Sequence, residues 1–254
     1  TTEIATSGNA LLVAGGVIRR PPRSTPPGTL FPYTALSRSA QWLRQTSGDL
    51  IVGAVTALKP NDVGGTDKAG LVTTADNAPI NLDVTAGNLT VISNISANGS
   101  GSIDLRTGGT NKAIALNGAT LSSTSGQVQV LASGDISTST ANGTTTEIAT
   151  SGNALLVAGG AIGADGRRIE TSGVNTLAAE SVGAQWLRQT SGDLTVGAVT
   201  GLKPADTSGP DKAGLVTQSG NAPIALGVST GALTVSSNVT AQGSGSVDLR
   251  TDTA

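Results

Sequence analysis

Along this chain, apolar and polar positions alternate in short bursts, each opened by a glycine and a polar residue. GNALLV at 8–13, GDLIV at 48–52, GLVT at 70–73, GNLTV at 87–91 and GQVQV at 126–130 follow the pattern; NKAIAL at 111–116 is a weaker case. Period-two alternation, as in Leu50-Ile51-Val52 or Gln127-Val128-Gln129-Val130, is the signature of a strand with one face buried. No window carries a sustained helical stripe. Gly and Asn between the bursts supply the positive-φ positions that tight corners need.

The bursts lie inside a longer repeat. TTEIATSGNALLVAGG occupies residues 1–16 and returns at 145–160, an offset of 144 that holds without a gap to Arg106/Arg250 and the end of the chain. Residues 1–144 form a first unit and 145–254 a second, truncated one, in one continuous array. Seven burst starts per unit give a mean spacing of about 21 residues, in the solenoid range. Parallel strands need crossovers, and a coiled chain supplies them, one turn per rung. The expectation is an all-β parallel solenoid with about 20 residues per rung. Some twelve rungs at strand spacing make a rod of roughly 55–60 Å.

Two stretches interrupt the spacing. LKPNDVGGTDKAG at 58–70 and LKPADTSGPDKAG at 202–214 carry the Pro, Gly and Asp of loops. They read either as solvated excursions or as binding loops on a rigid scaffold. Separately, the 144-residue repeat itself breaks at 19–39, RRPPRSTPPGTLFPYTALSRS, against GADGRRIETSGVNTLAAESVG at 163–183. The match is near-complete on both flanks and collapses between them. The stretch holds the only Phe and Tyr, Phe31 and Tyr33, and five of the ten prolines. Pro21, Pro22, Pro26, Pro27 and Pro32 remove ladder donors, so irregular backbone is expected over 19–39, with a strand near 173–178 in the second unit.

The composition narrows the chemistry. With no Cys and no His, thiol chemistry, zinc sites and serine triads have no residues to work with. A net charge of −2 and two Trp leave no basic stripe or stacking platform for nucleic acid. No apolar run approaches the roughly 18 residues of a membrane span. With no initiator Met, the chain reads as a piece of something longer. Leu, Ile, Val and Phe at roughly 23% are enough for a core and too many for disorder.

Candidate polar chemistry recurs with the repeat, at Glu3/Glu147, Asp49/Asp193, Asp62/Asp206, Asp67/Asp211 and Asp104/Asp248. Copies 144 residues apart lie far outside the ~10 Å that two glycosidase carboxyls need, although different carboxylates on adjacent rungs can still meet. The simpler role for Asp after Gly is to accept backbone N–H groups at a turn. GSGSIDL at 99–105 and GSGSVDL at 243–249 faintly echo calcium-binding β-rolls but lack their spacing. Trp42 and Trp186, beside Arg44 and Arg188, either stack on a sugar or pack on the side of the rod. The run ISTSTANGTTTEIAT at 136–150 raises ice binding, but the rungs are too uneven for a flat threonine lattice. No residue is assigned a catalytic, cofactor-binding or metal-ligating role.

TTEIATSGNALLVAGGAIG, GDLTVGAVTG and GSGSVDLRT resemble the β-strand repeats of filamentous-haemagglutinin-type adhesins, the large exoproteins of two-partner secretion, and related autotransporter passengers. The resemblance covers the chain outside 19–39 and is one of repeat style. It implies a right-handed parallel β-helix at the surface of a Gram-negative bacterium, adhesion or biofilm roles, and host-cell glycans or other bacterial cells as partners. Within 19–39, TLFPYTALSRS (Thr29 to Ser39) resembles the translation of a short-read sequencing adapter, TLFPYTTLFRS, which implies an assembly or sequencing artefact in place of native sequence. The competing reading is a variable loop with an aromatic tip at Phe31 and Tyr33. A β-helix polysaccharide lyase or hydrolase, and a glycan- or ice-binding solenoid, are the alternatives in function.

Overall fold

The computed structural model describes residues 10–14, 31–37, 39–56, 67–204 and 209–252; for the first two segments this is the backbone. The described residues are all-β, with no helix. Two sheets of 14 and 10 strands carry nearly all of the pairing, and both are parallel; two short antiparallel hairpins stand apart. No helix among the described residues is long and apolar enough to cross a membrane.

Each of the bursts named above is a strand: Ala10–Ala14, Leu50–Val52, Leu71–Thr73, Leu89–Val91, Ile114–Leu116 and Val128–Ala132. Further strands fall between them, so each coil has three sides. A long row stacks Gln41–Gln45, Ile80–Val84, Ile103–Thr107, Val128–Ala132, Ala154–Ala158 and Thr176–Ser181. Two rows of shorter strands complete the coil, one running from Leu50–Val52 to Ile136–Ser137, the other from Leu71–Thr73 through Ile169–Ser172. Alternation buries Leu50, Val52, Leu89, Val91, Ile103, Leu105, Ile114 and Leu116 to 1% exposure or less, in one continuous core of aliphatic stacks. Small aliphatics suffice because neighbouring coils lie a strand spacing apart.

On the long row, Ile80, Ile103, Val128, Ala154 and Leu177 are successive neighbours. The steps are 23 (80 to 103), 25 (103 to 128), 26 (128 to 154) and 23 (154 to 177). They exceed the spacing of about 21 read from the turns. The reason is that Gly48 and Gly70 open strands on two sides of one coil, because Leu50–Val52 and Leu71–Thr73 both pair with the same strand, Phe31–Ser37. A step of 39, from Gln41 to Ile80, marks the coil that carries the excursion.

That strand is a correction. Irregular backbone was expected over 19–39, yet 31–37 is a parallel strand; 15–30 and 38 lie outside the described residues. Its pairing repeats that of Thr176–Ser181 residue for residue. Pro32 faces Ile51 and Ala35 faces Leu71, as Thr176 faces Thr195 and Ala179 faces Leu215, 144 residues later. Pro32 is tolerated near the strand start, where the pairing with Ala10–Ala14 has not yet begun; that ladder starts at Tyr33. The strand expected near 173–178 is present as Thr176–Ser181.

Both of these strands split a row. Residues 176–177 pair with Leu194–Val196 and 179–181 with Leu215–Thr217, so one long side becomes two short ones. Opposite, Gln185–Gln189 joins the two short rows into one long strand, with Gln185 beside Ile162 and Leu187 beside Ile169. Counterpart strands of the two units therefore lie in opposite sheets: Gln41–Gln45 in one, Gln185–Gln189 in the other. One 144-residue unit is about five and a half coils, or on the order of 26 Å of stacked strands.

Inward glutamines serve the crossover. Gln41 Nε2 donates to Val72 O (2.7 Å) and Gln185 Nε2 to Val216 O (2.8 Å), counterpart bonds to backbone carbonyls of the neighbouring short rows. Buried polar groups require such partners, and the first Gln of each QWLRQ, unlike an aliphatic residue, supplies a donor to a carbonyl of the neighbouring row.

Candidate functional site

The corner carboxylates stack coils. Asp49 Oδ1 accepts the Asn88 N–H (2.7 Å), and Asp193 Oδ1 accepts the Ala232 N–H (2.8 Å), the same bond 144 residues on. Asp135 Oδ1 does the same for Ala161 N–H, and Asn77, Asn94 and Asn221 repeat the device. Asp211 Oδ1 accepts the Gly201 N–H, a bond that, ahead of the nearby Lys203 charge, holds its carboxyl below the ordinary range. Asp67 is exposed at the start of its hairpin strand. Glu3, Asp62 and Asp206 lie outside the described residues.

Two carboxylate groups differ from these corners. The first is on adjacent coils, where Glu147 and Glu170 stand beside one another, the Glu147 N–H donating to Glu170 O. Glu147 is fully buried. Its Oε1 accepts from the Thr138 (2.8 Å) and Thr140 (2.9 Å) hydroxyls, and its Oε2 from Glu170 N–H (2.8 Å). Burial pushes its carboxyl above the ordinary value, against the pull of these donors. Glu170 Oε1 accepts from Gly143 N–H (2.7 Å) and faces Arg188 Nη1 at 3.3 Å, and Arg188 Nε donates to Ser229 (2.8 Å). Two carboxylates do meet on adjacent rungs, but their oxygens hold down the 138–146 segment. Thr138 and Thr140 thus turn into a corner rather than onto a flat exposed lattice. Glu170 was not legible because Pro26 occupies its counterpart position in the first unit.

The second group is on the outside of the long row. Register places Asn81, Asp104, Gln129, Leu155 and Ala178 in one outward column, and Asp83, Arg106, Leu131, Val157 and Glu180 in the next. Asp104 is 1% exposed. Its Oδ2 takes the Arg106 guanidinium at 2.7–2.8 Å and its Oδ1 the Gln129 amide at 2.9 Å. Burial raises its carboxyl, with Arg106 and Gln129 opposing. With Arg106 and Gln129 on its two oxygens, Asp104 is an ion-pair and hydrogen-bond partner, and GSGSIDL supplies no further acid beside it. Among the described residues, no three acidic side chains converge as metal ligands would.

The second excursion covers this face. Leu202 N–H donates to Gln129 Oε1 (2.8 Å), and Leu202 O accepts from Arg106 Nη2 (2.9 Å). Gln127 Nε2 donates to Thr200 O (2.9 Å), Val199 is buried against Leu155 and Ala178, and Lys212 Nζ meets Glu180 at 2.6 Å. Neither reading of the sequence, free loop or ligand loop, included this docking.

The tryptophans lie within the counterpart strands Gln41–Gln45 and Gln185–Gln189. Trp42 and Trp186 are half-buried on the outward side of their strands, and the Arg168 guanidinium lies 5.7 Å from the Trp186 ring centroid. Arg44 Nε is 3.2 Å from Asp83 Oδ2, one coil away. The side chains of Phe31 and Tyr33 lie outside the described residues.

No protein-family model, curated protein or solved structure matches this chain.

Proposed function

We propose that this chain is a stalk segment of a large secreted bacterial surface adhesin of the filamentous-haemagglutinin type, a right-handed parallel β-helix without catalysis. Its work is to hold other domains away from the cell, with weak polyvalent contacts to glycans or neighbouring cells along its length. One observation carries the reading: the recurring polar side chains are spent on the array itself. Asp49 and Asp193 each bind the backbone one coil on, and Asp104 and Glu147 are buried with internal partners. A site for substrate keeps such groups aimed at a cleft.

The test is a change of unit number in the surface protein that carries this array. Removing one 144-residue unit should shorten the rod by about 26 Å in electron micrographs and leave the affinity of each distal contact unchanged. Loss of binding with unchanged length, or cleavage of a polysaccharide by the isolated segment, would overturn the proposal.

A further inference from the structure

The excursion and the face beneath it match position for position. At the polar end of the two outward columns, Gln129 Oε1 of the buried Asp104–Arg106–Gln129 cluster accepts the Leu202 N–H, and Arg106 Nη2 and, at 3.4 Å, Gln129 Nε2 donate to Leu202 O. At the apolar end, Leu155 and Ala178 are fully buried under Val199. At the last coil, Glu180 receives Lys212. The described parts of the excursion, 197–204 and 209–214, leave the stack at the split row, between Leu194–Val196 and Leu215–Thr217, and run back over earlier coils. A side chain at Gly201 would clash with the Gly209 backbone, and one at Gly209 with Leu202 O and the Gln129 amide. The bonds span 73 to 96 residues and join the second unit to the first.

The second unit carries the same Asp-Leu-Arg. There the strand Val247–Thr251 has a neighbouring coil on one side among the described residues, and the Asp248 and Arg250 side chains are 38% and 71% exposed and pair with each other.

We infer that the Asp104–Arg106–Gln129 face is a docking surface whose partner is the excursion of the following repeat unit, which is seated beside it on Leu155 and Ala178 of its own unit. Each unit is thereby clasped by the next at the point where the rows split. Strand ladders alone leave that point weak, because Thr176–Ser181 hands over to two strands separated by the excursion. The clasp closes the gap from outside. It deepens the stalk reading, on which it rests, by naming what couples one unit to the next.

Hydrogen exchange on the intact chain tests it. Gln129→Met removes the acceptor of the Leu202 N–H, and Val199→Asp places a charge on the Leu155/Ala178 patch from the excursion side. Each should speed exchange at Leu202 by about tenfold or more, with Val130 and Leu156 in the ladders beneath unchanged. Unchanged Leu202 exchange in both variants overturns the clasp. So does equal loss of protection at Val130 and Leu156, which makes the face part of the core and not a docking surface. The readout involves no adhesion, so its failure leaves the stalk proposal standing, and failure of the unit-removal experiment leaves the clasp standing.

Discussion

A methyl group at Gly214 measures how closely the coils stack. Gly214 has φ +77°, and a Cβ there would fall on the carbonyl oxygen of Asn238 in the next coil. Gly166 has a similar φ of +79° with nothing within 4 Å of the added atom. Gly→Ala at either site carries the left-handed penalty of roughly 1–2 kcal/mol, offset by about 0.4–1 kcal/mol from the stiffer unfolded chain. These contributions cancel between the two variants. What remains at Gly214 is the displaced carbonyl. Moving it breaks the Leu215 N–H bond to Asn238 O (3.1 Å) and strains that of Gly214 N–H to Gly197 O (2.9 Å). One or two net hydrogen bonds, with a buried group left unpaired, come to about 2–4 kcal/mol. Urea unfolding of the two variants, read by far-UV circular dichroism, should separate them by that amount. A difference under about 0.5 kcal/mol would refute the close approach of these coils, since surface substitutions vary by that much without cause.

Leu105→Ala, in a fully buried stack, should cost about 2–5 kcal/mol, and Ile92→Ala, at 52% exposure, less than about 0.5, both read from urea midpoints. Burial holds Glu147 above its ordinary 4.5, so the native chain takes up this proton before the unfolded chain does. Its share of stability therefore rises as pH falls through the folded value and levels off below 4.5, and Glu147→Gln should flatten that part of a Tm-against-pH curve. Trp186→Ala forfeits the Arg168 contact, about 0.5–1 kcal/mol; a calorimetric titration with oligosaccharides that shows heat for the native chain and none for this variant would assign Trp186 to ligand binding instead.

What the sequence made legible was local. A glycine corner followed by alternation marks Leu50–Val52, Leu89–Val91 and Val128–Ala132, because inward aliphatics and tight turns leave direct traces. Strands such as Ile103–Thr107 and Gln41–Gln45 carry Asp, Arg or Gln where the pattern expects a simple apolar or soluble position. Their outward or crossover environments are created by distant residues. The exchange of sheets between units follows from half a coil per repeat, which no single stretch encodes. Docking of Leu202 on Gln129 joins residues 73 apart, and nothing near either one announces the other. In 31–37 the prolines pointed away from a strand, yet the neighbours on both sides supply a ladder in the same register that Thr176–Ser181 uses.

The most direct test of the stacked parallel fold is a cysteine pair, clean in a chain with no Cys. Ser96 and Ser122 are outward neighbours on adjacent coils, a step of 26 (96 to 122). Adjacent strands sit within the Cα separation a disulfide accepts, about 4.4–6.8 Å. Ser96→Cys with Ser122→Cys should cross-link under mild oxidation, detected by the mobility of the reduced and oxidised chain. Ser96→Cys with Asn117→Cys, the pairing a 21-residue coil would make, should stay reduced. Cross-linking of the second pair and not the first would contradict the account.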